Sequence, residues 1–217
     1  MADQKRKSQK TNAYDEVVTA DDVLATFRRV GALLEGHFRL SSGLHSPGYL
    51  QSALVLQHPK EAEALGAAIA EQVQGLDVQA VLSPALGGIV IGQEAGRALG
   101  VRAIFAERQD SKLTLRRGFA LTPGERVLVV EDVLTTGGST RETIEVARAA
   151  GATVVGAAAI VDRSDQSARD GDARSVDVGL DVPFRALAAF ALPTYAPDEC
   201  PLCAAGLPVV KPGSRTV

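Results

Sequence analysis

Cysteine and histidine are scarce in this chain of 217 residues, which holds two of the first and three of the second. The cysteines, Cys200 and Cys203, form one Cys-Pro-Leu-Cys unit near the C-terminus, a usage that agrees with a cytoplasmic protein. A thioredoxin-type redox centre would follow a strand early in a βαβ unit, whereas this pair stands in a Pro-rich tail. A single Cys-x-x-Cys supplies half of a tetrahedral zinc site. No histidine lies near it in the sequence, although a dimer could combine two such halves, so the plain reading without metal is preferred and no metal-ligating residue is expected. Long apolar runs are also missing: none reaches the roughly 20 residues that a transmembrane helix needs. Residues 1–12 are polar and Lys-rich, unlike a signal peptide. Charge of one sign is not in excess, since 23 basic and 26 acidic residues leave a net −3, which gives no electrostatic case for nucleic acid. There is no Gly-Lys-Ser/Thr of a Walker A loop and no Gly-x-Gly-x-x-Gly fingerprint. Nor does a serine or cysteine stand at a strand–helix elbow beside a base, which excludes a hydrolase triad.

What is present centres on Val127-Leu-Val-Val-Glu-Asp-Val-Leu-Thr-Thr-Gly-Gly-Ser-Thr140. Val127 to Val130 is an apolar run of strand length, as in a strand buried on both faces of a parallel sheet. Glu131 and Asp132 therefore fall at its carboxyl end, the edge at which open α/β sheets bind ligands. Thr135 to Thr140 adds four hydroxyls and two glycines that permit close backbone approach. Glu142 to Ala150 reads as a helix closed by Gly151. Free N–H groups at a helix N-terminus cradle anions, while carboxylates accept from sugar hydroxyls or approach a divalent cation. The combination indicates a phosphorylated sugar, with its phosphate on the loop and its diol on the acids.

At 217 residues and 46% hydrophobic content, one globular domain is expected. Residues 1–18 are read as a disordered tail and 19–217 as the domain. Apolar positions Val23, Leu24, Phe27, Val30, Leu33 and Leu34 fall at helical spacing from Asp21, with Gly36 beyond the end. Residues 37–57, rich in Ser, Gly and Pro, suggest a loop with one or two short strands, forming with the C-terminal segment a cap that contains or flanks His37, His45 and His58. A helix from Pro59 to Val73 follows, then strand 78–82, a tight loop 83–88, helix 89–99 and strand 101–105. Strand–helix–strand recurs through 126–161. This alternation predicts a doubly wound parallel sheet with right-handed crossovers. Residues 107–118 are polar and basic, with Arg108, Lys112, Arg116 and Arg117, and read as a mobile loop. Ser83-Pro-Ala-Leu-Gly-Gly88 repeats the strand–loop–helix plan, so Gly87 and Gly88 are candidates for a second anion. Arg163 follows the apolar Ala157–Val161 and could hold a planar carboxylate or imide. Its alternative is an ion pair with Asp162 or Asp165.

The main motif resembles the phosphoribosyl diphosphate motif of type I phosphoribosyltransferases. Arg29-Val-Gly-Ala-Leu-Leu-Glu-Gly-His-Phe38, Ser42-Gly-Leu-His-Ser-Pro47, Leu50-Gln-Ser-Ala-Leu54, Leu115-Arg-Arg-Gly118, Ile160-Val-Asp-Arg163 and Cys200-Pro-Leu-Cys203 with Gly206 carry the likeness further, to orotate phosphoribosyltransferases. The resemblance implies a pentosyl transfer from 5-phosphoribosyl 1-diphosphate to orotate, giving orotidine 5′-monophosphate and diphosphate, on the path to UMP. It implies Mg²⁺, a type I phosphoribosyltransferase fold with a small hood, and a homodimer with shared active sites, with neither nucleic acid nor membrane as partner. By the same likeness Glu131 and Asp132 hold the ribose hydroxyls. The loop Thr135, Thr136, Gly137, Gly138 and Ser139 takes the 5′-phosphate, with Val133 and Leu134 leading into it within the same substrate site. Thr135 and Arg163 face the base, and Tyr49 and Leu50 match hood positions near it. Arg108 and Lys112, reaching over from the partner subunit, supply the loop cations. Some family members carry Lys where this chain has Ser41 and Gly87, and a longer cationic loop. Two rivals share the central motif: a purine phosphoribosyltransferase and a regulator that binds phosphoribosyl diphosphate without chemistry.

Overall fold

The computed structural model describes residues 18–40, 42–164 and 179–212. The tail ahead of Val18, Ser41 and Asp165 lie outside the described residues.

The first helix, α1 (Ala20–Arg29), starts with a capping box in which the Thr19 hydroxyl accepts from the Asp22 N–H and the Asp22 carboxylate accepts from the Thr19 N–H. It is shorter than its apolar spacing suggests. Gly31, with φ +69°, turns the chain, and Leu33 and Leu34 begin a strand instead of a fourth helical turn. That strand, β1 (Leu33–Arg39), pairs antiparallel with β2 (His45–Leu50) as a separate two-stranded sheet. The hood is thus more regular than a loop, and it is followed by the single turn α2 (Ala53–Leu56) and by α3 (Pro59–Gln72). The C-terminal segment is laid against the hood: Arg39 N–H donates to Val210 O, and His45 and Tyr195 exchange two backbone hydrogen bonds.

The main sheet has the order β5-β4-β3-β6-β7-β8. β3 (Ala80–Pro84), β4 (Arg102–Gln109), β6 (Arg126–Leu134), β7 (Thr153–Asp162) and β8 (Phe184–Ala189) run parallel, and α4 (Gly88–Leu99) and α5 (Gly138–Ala149) are crossovers. β5 (Lys112–Leu115) is an antiparallel edge paired with the end of β4. Residues 107–118 therefore form a β-hairpin where a mobile loop was anticipated. Asp110 and Ser111, both at positive φ, make its two-residue turn. β8 had no separate signal in the sequence reading.

Side-chain alternation sorts the core into two layers. Val81, Leu128, Val130 and Ile160 meet α1, α3 and α4, while Leu82, Val127, Val129, Ala157 and Ala159 meet α5 and the segment before β8. Chain order reverses between β3 and β6, the switch point at which such sheets open a crevice.

The tightest helix contact is at Gly66 of α3, where an added Cβ would lie 2.5 Å from Glu94 Cβ and 2.6 Å from the Glu94 carbonyl carbon of α4. Backbone cannot yield as a flexible side chain does. Gly66→Ala is expected to destabilise the fold by about 1–3 kcal/mol, read as a lower urea midpoint. An unchanged midpoint would mean that α3 and α4 are not packed as described.

Candidate active site

A cavity of about 620 Å³ opens at the carboxyl edge of β6 and β7, beneath the hood. Its walls include Glu131, Asp132, the loop Thr135–Ser139, Glu142, Tyr49, Ser52, Arg108 and Arg163. A second groove of about 690 Å³ between α1, α3 and α4 has no comparable convergence of loop and acids, and Ala and Leu make up half of its wall.

β6 runs on to Leu134, so Glu131 and Asp132 lie within the strand and not just past it. The period of two then sends them to opposite faces. Glu131 turns toward α5, where the Thr140 hydroxyl donates to its Oε2 at 3.5 Å. Asp132 turns the other way and accepts from the Ser52 hydroxyl. Glu131 is only 7% exposed. Burial, reinforced by the Asp132 charge beside it, holds its carboxyl well above the usual range.

The loop after β6 reaches α5 through Gly137, whose φ of +71° needs glycine. No side chain caps α5. The first N–H groups of the helix are therefore left for a ligand, an anion site of the helix-terminus kind. Arg141 donates to Thr136 O at 2.6 Å and steadies the loop from behind. On the far side of the switch point, Ser83–Gly88 turns through a cis peptide between Ala85 and Leu86. Gly87 there abuts Asp132: a Cβ would fall 2.6 Å from Oδ2.

Arg163 is positioned by its own N–H, which donates to Leu134 O at 2.8 Å. Its Nε is buried without a partner, and among the described residues the guanidinium forms no ion pair, so pairing with Asp162 is ruled out. Burial lowers its pKa, opposed by the nearby Tyr49. Burial in turn raises the Tyr49 phenol, so at neutral pH that phenol is protonated and available as a donor.

Arg108 lines the cavity of its own chain, joined to Glu142 at 3.0 Å and to Ser111 O at 2.7 Å. Lys112 is exposed on β5 and does not line that cavity. The resemblance implies that both cations reach over from a partner subunit; within this chain the β4–β5 hairpin folds back beside α5 and sets Arg108, but not Lys112, at the wall of its own cavity.

A sequence model of the family described as "Phosphoribosyl transferase domain" matches residues 52–182. The orotate phosphoribosyltransferase of Pelotomaculum thermopropionicum is 50% identical over 200 residues, covering 92% of this chain and all of that protein. The chain belongs to the orotate phosphoribosyltransferase family. The Novosphingobium aromaticivorans enzyme of that name is 54% identical over 90% of this chain and 97% of its own. Among solved structures, the orotate phosphoribosyltransferase of Aeropyrum pernix aligns at 27% identity and a TM-score of 0.58, covering 77% of this chain and 93% of that one. A Mycobacterium tuberculosis orotate phosphoribosyltransferase in complex with 5-phospho-alpha-D-ribosyl 1-diphosphate shares the fold, at 23% identity, a TM-score of 0.57 and 77% coverage of this chain against 94% of that one.

In this family member the structure gathers Glu131, Asp132, the loop residues 133–139, Tyr49, Arg108 and Arg163 at one cavity, with Gly87 in contact with Asp132 and Gly88 starting α4. Ser52 and Glu142 were not singled out, and Thr140 was counted only among the hydroxyls of the loop. Ser52 stands within the Leu50–Leu54 segment of the family likeness, but nothing in its own neighbours distinguishes it from a surface serine. Glu142 looks like an ordinary helix-face acid until β5 arrives.

The raised Glu131 pKa has a definite sign. A carboxyl whose pKa is higher folded than unfolded leaves the fold less stable as pH rises through the folded value. Glu131→Gln is therefore expected to raise Tm at neutral and alkaline pH, with the gain vanishing below the ordinary carboxylate range, while binding of phosphoribosyl diphosphate weakens. A lower Tm for the variant across the whole range would contradict the burial argument.

Proposed function

We propose that the protein transfers the 5-phosphoribosyl group from 5-phosphoribosyl 1-diphosphate to orotate, giving orotidine 5′-monophosphate and diphosphate for pyrimidine nucleotide synthesis in the cytoplasm. The observation that carries the reading is the meeting of an uncapped helix N-terminus, two carboxylates and an unpartnered arginine at one switch-point cavity. A phosphate, a vicinal diol and a planar carboxylate or imide are the chemical complements of those three.

The roles follow from position. The backbone of Thr135–Ser139 takes the 5′-phosphate, and the acids accept from the ribose 2- and 3-hydroxyls. Asp132 is kept in place by Ser52 and by the empty Cβ position of Gly87. Arg163 and Tyr49 hold the orotate ring so that a ring nitrogen faces C1. When diphosphate leaves, positive charge develops at C1 and the ring oxygen, and negative charge on the nearby acids stabilises it electrostatically. No protein nucleophile is required; the work is orientation and charge stabilisation. The cavity wall offers oxygen donors without thiol or imidazole, a set suited to a hard cation such as Mg²⁺ beside Glu131 and Asp132. Bound there with substrate, Mg²⁺ would neutralise charge on the leaving diphosphate. Arg108 adds to that neutralisation from the same chain. Lys112, which does not line its own cavity, serves the neighbouring site of a homodimer.

Mixing the protein with orotate, 5-phosphoribosyl 1-diphosphate and Mg²⁺ should consume the orotate ultraviolet absorbance, with uracil, adenine and hypoxanthine inert. Turnover of a purine would favour the purine rival, and ligand binding without any turnover would favour a regulator. For Lys112, the homodimers Lys112→Ala and Asp132→Asn should each lose most of their turnover, while chains coexpressed and mixed recover activity that neither has alone. Failure of mixed dimers to recover would remove Lys112 from a role across the interface.

A further inference from the structure

His37 and His45 project from one face of the hood. The β1–β2 register shifts between Glu35 and Phe38, and His37 within that irregularity meets His45 ring to ring, edge on, with centroids 4.7 Å apart. The C-terminal segment packs under that face. Cys200 precedes the turn of α6 (Pro201–Ala204), and Cys203 stands within it. Four ligand atoms converge: His37 Nε2, His45 Nδ1 and the two cysteine sulfurs, all within 4.8 Å of one another. The sulfur–nitrogen separations are 3.6 Å (Cys200 to His37), 3.7 Å (Cys203 to His37) and 3.3 Å (Cys203 to His45), and the two nitrogens are 2.9 Å apart.

These are four of the six edges of a small tetrahedron, and the other two are no longer than 4.8 Å. Zinc bonds of about 2.3 Å to sulfur and 2.0–2.1 Å to nitrogen place ligand atoms about 3.3–3.8 Å apart. Of those four, three fall in that range and the nitrogen–nitrogen edge is tighter. The tautomer of His37 is also fixed from outside the cluster. Its Nδ1 lies 2.8 Å from Leu207 O, a carbonyl that can only accept, so Nδ1 carries the proton and Nε2 presents a lone pair inward. A backbone carbonyl on the outer nitrogen is the usual support of a metal-bound imidazole. Three atoms approach that one lone pair, an arrangement expected of vertices around a common centre and not of a hydrogen-bond chain.

Charge gives a further reason. His37, His45 and Cys200 are buried, at 4%, 6% and 3% exposure. Two thiolates, two neutral imidazoles and a divalent ion sum to zero, which lets the cluster stay out of water without an uncompensated charge. Cys203 is exposed and leaves a route of entry.

We propose that His37, His45, Cys200 and Cys203 form a structural zinc site that fastens the C-terminal segment to the hood. The earlier preference for a metal-free Cys-x-x-Cys rested on the lack of a neighbouring histidine, and the fold supplies two from more than 150 positions away. The site stands apart from the cavity wall, and none of its four residues lines it. Its role is to hold β2, whose Tyr49 and Leu50 do reach that wall.

The test is the metal content of protein purified without a polyhistidine tag, measured by mass spectrometry, together with X-ray absorption at the zinc edge. The expected result is about one zinc per chain with two sulfur and two nitrogen neighbours. Cys203→Ser, at the exposed corner, should lose most of the zinc. Co²⁺ in place of zinc should give the intense visible bands of a tetrahedral dithiolate in the wild-type protein. The absorption and cobalt readings decide the matter on wild-type protein even if the variant does not fold. Metal-free protein that gives no cobalt bands, full zinc retention in Cys203→Ser, or a Cys200–Cys203 disulfide in the native protein would each overturn the proposal. Stoichiometric zinc without orotate turnover would sink the proposed reaction and leave this site standing.

Discussion

Two consecutive carboxylates in the central strand are the constraint around which the site is built. β6 lies between β3 and β7, and Val127 to Glu131 are buried, so the strand meets open space only at Asp132 and Val133, where the cavity begins. Placing Glu131 and Asp132 inside that strand fixes their directions by the pleat alone, one toward α5 and one toward Ser52 and the β3–α4 turn. The two acids remain close enough for their charges to repel. Desolvation and that repulsion raise the Glu131 pKa. A stability burden is thus localised where a ligand rich in hydroxyls can offset it, the usual trade between stability and function.

The rest of the cavity extends the same logic of groups left without partners. α5 begins without a side-chain cap, Arg163 has a buried Nε with no acceptor, and the Tyr49 phenol is held protonated. The buried Arg163 Nε is unfavourable as it stands, because buried polar groups are normally satisfied, and the other two are donors open to a ligand. Together they outline a ligand with an anion at one end, hydroxyls in the middle and a planar acceptor at the other. Arg108 differs, since it is already paired with Glu142, and its charge is held ready by a partner on the same helix that carries the anion loop.

The hood completes the enclosure from outside the main sheet. It has only two strands, and a two-stranded ribbon is marginal by itself in water. Here it is stitched along β1 to Val210 and along β2 to Tyr195, with the histidine–cysteine cluster between those two seams. The position of Tyr49 therefore depends on residues at the opposite end of the chain.

Much of this was legible beforehand because it depends on neighbours in sequence. An apolar run ending in Glu131-Asp132 and Thr-Thr-Gly-Gly-Ser specifies a strand, a turn and a helix start in one stretch, and so fixes the anion loop and the acids. The alternating pattern likewise fixed the parallel sheet, since helices and strands of that length can be buried in few other ways. What the sequence could not determine is whatever needs two distant segments to meet. The end of α1 at Gly31 was hidden because apolar residues continue past it in a pattern that fits either helix or strand. The β4–β5 hairpin reads as a polar loop, since only its pairing shows it to be a strand edge. That pairing brings Arg108 to its own cavity. Ser52, an unremarkable serine, becomes a partner of Asp132 only when α2 folds over β6. His37 and His45 lie far from Cys200 and Cys203 in the chain, and no local rule joins them. Local chemistry and periodicity set the elements and the phosphate loop; long-range packing alone decided which side chains share a site.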